Sequence, residues 1–152
     1  MQRTLFTDQT GKFPQTSILG NKYQMILHKI DSNSTWVDPM KNRTKCEIIA
    51  ASKKALKKNP AICLKPKHQI LGNKTSAKYK GAIQASGMTY QLVPPDNHRR
   101  NIFNKAIQFW KDHFIAVLSG TANNFSLHLW CQVIPQAERQ LLFYVNQITT
   151  KT

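Results

Sequence analysis

Tyr23-Gln24-Met25-Ile26-Leu27-His28-Lys29-Ile30 is the stretch that decides the fold. Its apolar residues run together at the centre instead of recurring every three or four positions, so it reads as a strand with a buried middle. Asp31-Ser32-Asn33-Ser34 follows as turn chemistry, and Thr35-Trp36-Val37 reads as the returning strand. Upstream, Leu5 and Phe6 lie in a short extended segment ending at Asp8. Turn signals at Thr10-Gly11-Lys12 and Gly20-Asn21 separate that segment from the central strand. The chain is therefore expected to open with three strands in a meander.

Helices and strands then alternate. Thr44 with Glu47 has the spacing of a capping box, and Ile48, Ile49, Ala51, Ser52, Ala55 and Leu56 recur at helical intervals behind it. Lys57-Lys58 suit the negative end of that helix, and Asn59-Pro60 stops it. Lys53, Lys54, Lys57 and Lys58 read as its solvated face. Gln69-Ile70-Leu71 is a short extended piece ended by Gly72-Asn73. Thr75 to Ser86 reads as a second helix with Gly87 just past it. Met88 to Val93 is the next strand, closed by Pro94-Pro95. A long helix is expected from about Asn101 to Leu118, stopped by Ser119-Gly120, and a last helical region from about Leu127 to Val145, with Pro135 as the place for a bend. Strands alternating with helices after a meander imply a mixed sheet with helices on its faces, an α/β fold.

The 152 residues suit a single domain with a buried core, and the hydrophobic content of 41% excludes wholesale disorder. No apolar run reaches the length of a membrane span, and Met1-Gln2-Arg3-Thr4 lacks the apolar core of a signal peptide. The net charge of +15, from 22 Lys+Arg against 7 Asp+Glu, points to a polyanionic partner, with nucleic acid ahead of an acidic membrane surface, because each neutralised phosphate releases a counterion and no compact basic run lies beside an amphipathic anchor. Cys46, Cys63 and Cys131 are widely spaced and read as buried small hydrophobes in a reducing compartment rather than as a disulfide or zinc framework. The histidines His28, His68, His98, His113 and His128 have no metal-ligand spacing with them. Gly-rich phosphate loops and G-x-S-x-G elbows are absent from the sequence.

Several short motifs occur in an order that carries more information than any one of them. Phe6-Thr7-Asp8-Gln9-Thr10-Gly11-Lys12-Phe13-Pro14 and then Gly20-Asn21-Lys22-Tyr23 resemble the opening of the integrase core domain of long-terminal-repeat retrotransposons. Asp31-Ser32-Asn33, Tyr90-Gln91-Leu92-Val93-Pro94-Pro95 and His98-Arg99-Arg100-Asn101 resemble the same domain further along, so the resemblance covers about residues 6 to 150. It implies a ribonuclease H-like fold: a mixed five-stranded sheet, three antiparallel strands plus two parallel ones, flanked by helices. It also implies one integrase-core-like domain over residues 1–152. The family's upstream His/Cys zinc segment and downstream DNA-binding region are missing, so a fragment of a longer polyprotein is expected.

The family's chemistry needs carboxylates that hold Mg²⁺ or Mn²⁺ for polynucleotidyl transfer. By resemblance the first falls on Asp8. The second falls on Gly72, within Leu71-Gly72-Asn73-Lys74, and the third on Asn104, just past Arg99-Arg100-Asn101. A glycine has no ligand atom and an amide lacks the charge to offset a divalent cation, so stable metal binding and strand transfer are not expected. Asp96 is the local acid that a relocated site would recruit; Asp112, two turns beyond Asn104, is too far along the helix. Lys74, Lys78, Lys80, Arg99, Arg100 and Lys105 surround the same region as candidate phosphate contacts. Three readings follow: an inactive integrase-like core that binds nucleic acid, an active transferase relying on Asp8 and Asp96, and a basic nucleic-acid-binding module without catalytic ancestry. The family also implies an intracellular, nuclear location. The aromatic residues Phe109, Trp110, Phe114, Trp130 and Phe143 serve either the core or a homodimer face.

Overall fold

In the computed structural model, residues 3–58, 66–72, 75–94 and 98–149 are described. The strands are β1 (Thr4–Gln9), β2 (Tyr23–Lys29), β3 (Ser34–Met40), β4 (His68–Leu71) and β5 (Thr89–Leu92). The helices are α1 (Lys45–Lys57), α2 (Ala77–Ala85), α3 (His98–Ser119) and α4 (Trp130–Thr149), the last preceded by a 3₁₀ turn at Leu127–Leu129. The sheet order is β3-β2-β1-β4-β5. β1, β2 and β3 form the antiparallel meander, while β4 pairs parallel with both β1 and β5. The expected element order and sheet composition are both observed.

The sheet is covered on both faces, which is why β2 is buried from Gln24 to Lys29. Its side chains alternate between two cores. Met25 and Leu27 join Leu5, Trp36, Met40 and Leu71 beneath α1 and α2. Ile26 joins Val37, Trp110, Phe114 and Trp130 beneath α3 and α4. The positive-φ turn residue Asn33 (φ 47°) lies in the β2–β3 connection, where an asparagine tolerates a left-handed backbone. Gly87 (φ 80°) ends α2 in the left-handed conformation that glycine adopts at a helix C-terminus.

The long β1–β2 connection is pinned to α4 by aromatic packing. The ring of Phe13 stacks on Trp130 with centroids 4.4 Å apart and meets Phe114 edge-on at 6.0 Å. Trp130 Nε1 also donates to the Gln15 carbonyl at 2.9 Å. Across the core, Trp110 Nε1 donates to Gln24 Oε1 at 2.9 Å, tying α3 to β2 through two fully buried side chains.

Four expectations are corrected. Thr44 is the N-cap of α1, but its hydroxyl donates to Asn42 Oδ1 at 2.6 Å rather than capping the helix, and Glu47 Oε1 accepts from Lys41 N–H at 3.2 Å. Lys58 is not a freely solvated cation: it lies 3.6 Å from Asp38 and 3.7 Å from Glu138. Cys131 is buried as expected, whereas Cys46 is exposed with its Sγ 3.3 Å from Lys78 Nζ; Cys63 lies outside the described residues. The long helix begins at His98, so Asn104 falls in its second turn rather than its first. Pro135 sits in the first two turns of a continuous α4, close enough to its start that few backbone hydrogen bonds are at stake. Of the aromatic residues, Trp110, Phe114 and Trp130 are buried, and Phe109 and Phe143 are exposed. No helix among the described residues is long and apolar enough to cross a membrane.

Candidate functional site

Parallel strands leave a crevice beyond their carboxyl ends, and β1 and β4 end side by side here. Their register pairs Thr4 with His68, Leu5 with Gln69 and Phe6 with Ile70. Extending it by two residues sets Gly72 across from Asp8. Both residues line one pocket of about 470 Å³, together with Thr7, Gln9, Met25, Arg43, Lys45, Ile48, Thr75, Ser76 and Tyr79. Two positions 64 residues apart are thus brought to the same wall by a parallel β pair.

Two of the lining residues, Thr7 and Tyr79, belong to a buried polar chain. Gln69, fully buried in β4, donates through Nε2 to Thr7 Oγ1 at 3.0 Å and to Tyr79 OH at 2.8 Å. Tyr79 OH in turn donates to Ser52 Oγ at 2.9 Å. The chain joins β1, β4, α2 and α1, so the relative positions of the elements that frame the pocket are fixed by hydrogen bonds as well as by packing. Thr7 uses its side chain toward α2. Its neighbour Asp8 therefore turns toward the opposite face of β1, the one that α3 and α4 cover.

Charge around the pocket is mostly positive. Arg43 donates from Nη2 to the Thr10 carbonyl and lies 4.9 Å over the Tyr23 ring, so its guanidinium is held on two sides. Lys45 is the first residue of α1, where a cation opposes the helix dipole unless an anion is near. The start of α2 faces the same space through Thr75 and its N-cap Ser76, whose Oγ accepts from Tyr79 N–H at 3.3 Å. Neither Arg43 nor Lys45 stood out in the sequence. The available signal was a lysine at the first position of a helix, where an acid is favoured.

The other anticipated residues are distributed unevenly. Lys78 is exposed near the start of α1, where its Nζ meets Cys46, and Lys80 lies 5.9 Å over the Tyr90 ring. Asn104 and Lys105 are exposed on α3 and do not line the pocket. Arg99 and Arg100 belong to the first turn of α3. Lys74 and Asp96 lie outside the described residues.

The donor set does not fit a pair of divalent cations. Asp8 supplies one carboxylate, Gly72 supplies none, and among the described residues no three His, Cys, Asp or Glu side chains cluster as metal ligands. The glycine is not required by the backbone: a Cβ built on Gly72 meets nothing within 4 Å, and its φ is not left-handed.

No protein-family model and no curated protein sequence matches this chain. Solved structures do. The catalytic core domain of BIV integrase superposes with a TM-score of 0.64 at 12% identity, covering 93% of this chain and 82% of that one. The catalytic core domain of HTLV-2 integrase, in complex with magnesium in a dimeric form, gives 0.63 at 16% identity over 96% and 87%. A chain of the simian T-cell lymphotropic virus intasome in complex with PP2A regulatory subunit B56 gamma gives 0.67 at 16% identity over 93% of this chain and 47% of that one. The fold is that of a retroviral integrase catalytic core, a ribonuclease H-like architecture.

Proposed function

We propose that the domain is an integrase-core-like module of a retrotransposon, which holds nucleic acid through phosphate contacts and does not carry out strand transfer. The observation that carries this reading is the pocket itself: Asp8 and Gly72 lie on its wall, and among the described residues the other charged groups lining it are Arg43 and Lys45. Metal-assisted transfer needs several carboxylates to offset two cations, whereas a phosphate needs donors and positive charge. Two basic side chains and the starts of two helices meet the second requirement. The net charge of +15 favours the same partner. Lys78, Arg99, Arg100 and Lys105, with Lys74, would extend the contact along the backbone.

The reading includes a nuclear location and a single domain that is part of a longer polyprotein. The dimeric HTLV-2 core and the exposed Phe109, Phe143 and Tyr144 support a homodimer. The test is a strand-transfer assay on linear DNA ends with Mg²⁺ or Mn²⁺, run beside equilibrium binding over a salt series. No turnover is expected, and affinity should fall as salt rises. The double variant Arg43→Ala/Lys45→Ala should flatten the log–log salt slope by about two. Robust turnover abolished by Asp8→Asn would overturn the inactive reading in favour of a relocated site with Asp96, and salt-insensitive binding would overturn the phosphate role.

A further inference from the structure

A second concavity, of about 200 Å³, lies on the other side of the β1–β2 connection, between Thr10–Pro14 and α3. It holds one ring system but not a drug-sized ligand, whose sites start near 300 Å³. Phe13 and Phe114 form its aromatic wall, and Lys12 and Lys111 stand on it. Phe13 is immobilised by its stack on Trp130, so the wall is preformed. Gln24 also lines the pocket and is fully buried. Its Oε1 is taken by Trp110, but its Nε2 has no hydrogen-bond partner among the described residues. A buried amide donor left without an acceptor is uncommon in a folded chain, and a ligand is one way to supply it.

We propose that this pocket receives the base of an unpaired nucleotide within a single strand. A base offers a flat π-face to the half-buried Phe13, which Phe114 backs from the core, a carbonyl or ring-nitrogen acceptor to Gln24 Nε2, and a phosphate to Lys12 and Lys111. A duplex keeps its bases stacked inside and cannot fill the pocket. The proposal rests on the nucleic-acid reading above and adds a site that distinguishes single from double strands, away from Asp8.

The test follows the Gln24 side-chain amide signal in the ¹⁵N-labelled protein. Three additions are compared: a short thymidine oligonucleotide, an abasic strand of the same length, and a blunt duplex. The amide signal should shift with the thymidine strand and stay in place with the other two. Gly11→Leu adds bulk at a residue that lines the pocket, with no clash at Cβ and no left-handed backbone to strain. Once circular dichroism shows that the variant folds, its affinity for the thymidine strand should fall about tenfold, the loss expected for one stacked base, with duplex affinity unchanged. A Gln24 amide that does not move, or an equal loss on strand and duplex, overturns the pocket while leaving phosphate binding intact. Failure of all three nucleic acids to bind overturns both.

Discussion

Glu138 Oε1 accepts the backbone N–H of Val37 at 2.6 Å, across 101 positions of sequence. Val37 lies in β3, the outermost strand of the meander, and its carbonyl accepts from Lys58 Nζ. Side chains from α4 and from the end of α1 thus saturate an outward-facing backbone pair on an edge strand. Unpaired edge groups invite another chain to add on, and this clasp removes one such opportunity.

Replacing Glu138 with alanine leaves the Val37 N–H buried without its acceptor. Chemical denaturation should show a loss of about 1–3 kcal/mol. Glu138→Gln keeps an oxygen acceptor at that position and should lose less.

The same cluster makes stability depend on pH. Burial raises the carboxyl of Asp38 above its ordinary 3.8 and that of Glu138 above its ordinary 4.5, with Lys58 opposing both shifts. A raised folded-state value means that the contribution is full below the ordinary value and is lost as pH rises through the folded one. Between about pH 4 and neutrality these two groups therefore make the fold progressively less stable. Glu138→Gln should show a shallower fall over that range in urea titrations at stepped pH. His28 acts in the opposite sense. Burial lowers its imidazole below 6.5, so its contribution is full above that value and is lost on acidification.

Gly72→Asp should fold with a stability change within about 0.5 kcal/mol, because the site has room for the side chain and no left-handed backbone. A second carboxylate facing Asp8 should also give the variant a Mn²⁺-dependent rise in Tm that the parent lacks. Asp8→Asn in the same background should abolish it.

Trp110→Phe removes the donor to Gln24 while keeping most of the ring. The buried Oε1 then joins Nε2 in lacking a partner, and the cost should be about 1–3 kcal/mol by thermal or urea unfolding.

The order of elements could be read in the sequence because the local signals agree with the global fold. β2 has a compact apolar centre, Gly87 marks a helix end, and helical spacing runs through Ala106, Trp110, Phe114 and Val117. The polar side chains that organise the interior could not be read this way. Gln24 and Gln69 look like solvent-facing positions of half-buried strands, yet helices cover both faces of the sheet and bury them completely. Glu138 and Lys58 look like the polar faces of α4 and α1, because nothing local reports that β3 lies beside them. Asp8 and Gly72 were aligned by motif order, but Arg43 and Lys45 reach the pocket through tertiary packing alone. Thr44 and Glu47 have the spacing of a reciprocal cap, and competing partners at Asn42 and Lys41 take both side chains.

The bond between Trp110 and Gln24 acts like the clamp of a cantilever. The core grips α3 at Ile107 and Trp110, whereas Asn104 and Lys105 upstream are exposed. At 1.5 Å per residue, Asn104 lies about 9 Å along the axis from that clamp. A small tilt at a buried amide is magnified at the exposed Asn104 and Lys105. Substitutions deep in the core, far from any phosphate, can therefore retune how the surface presents its charge.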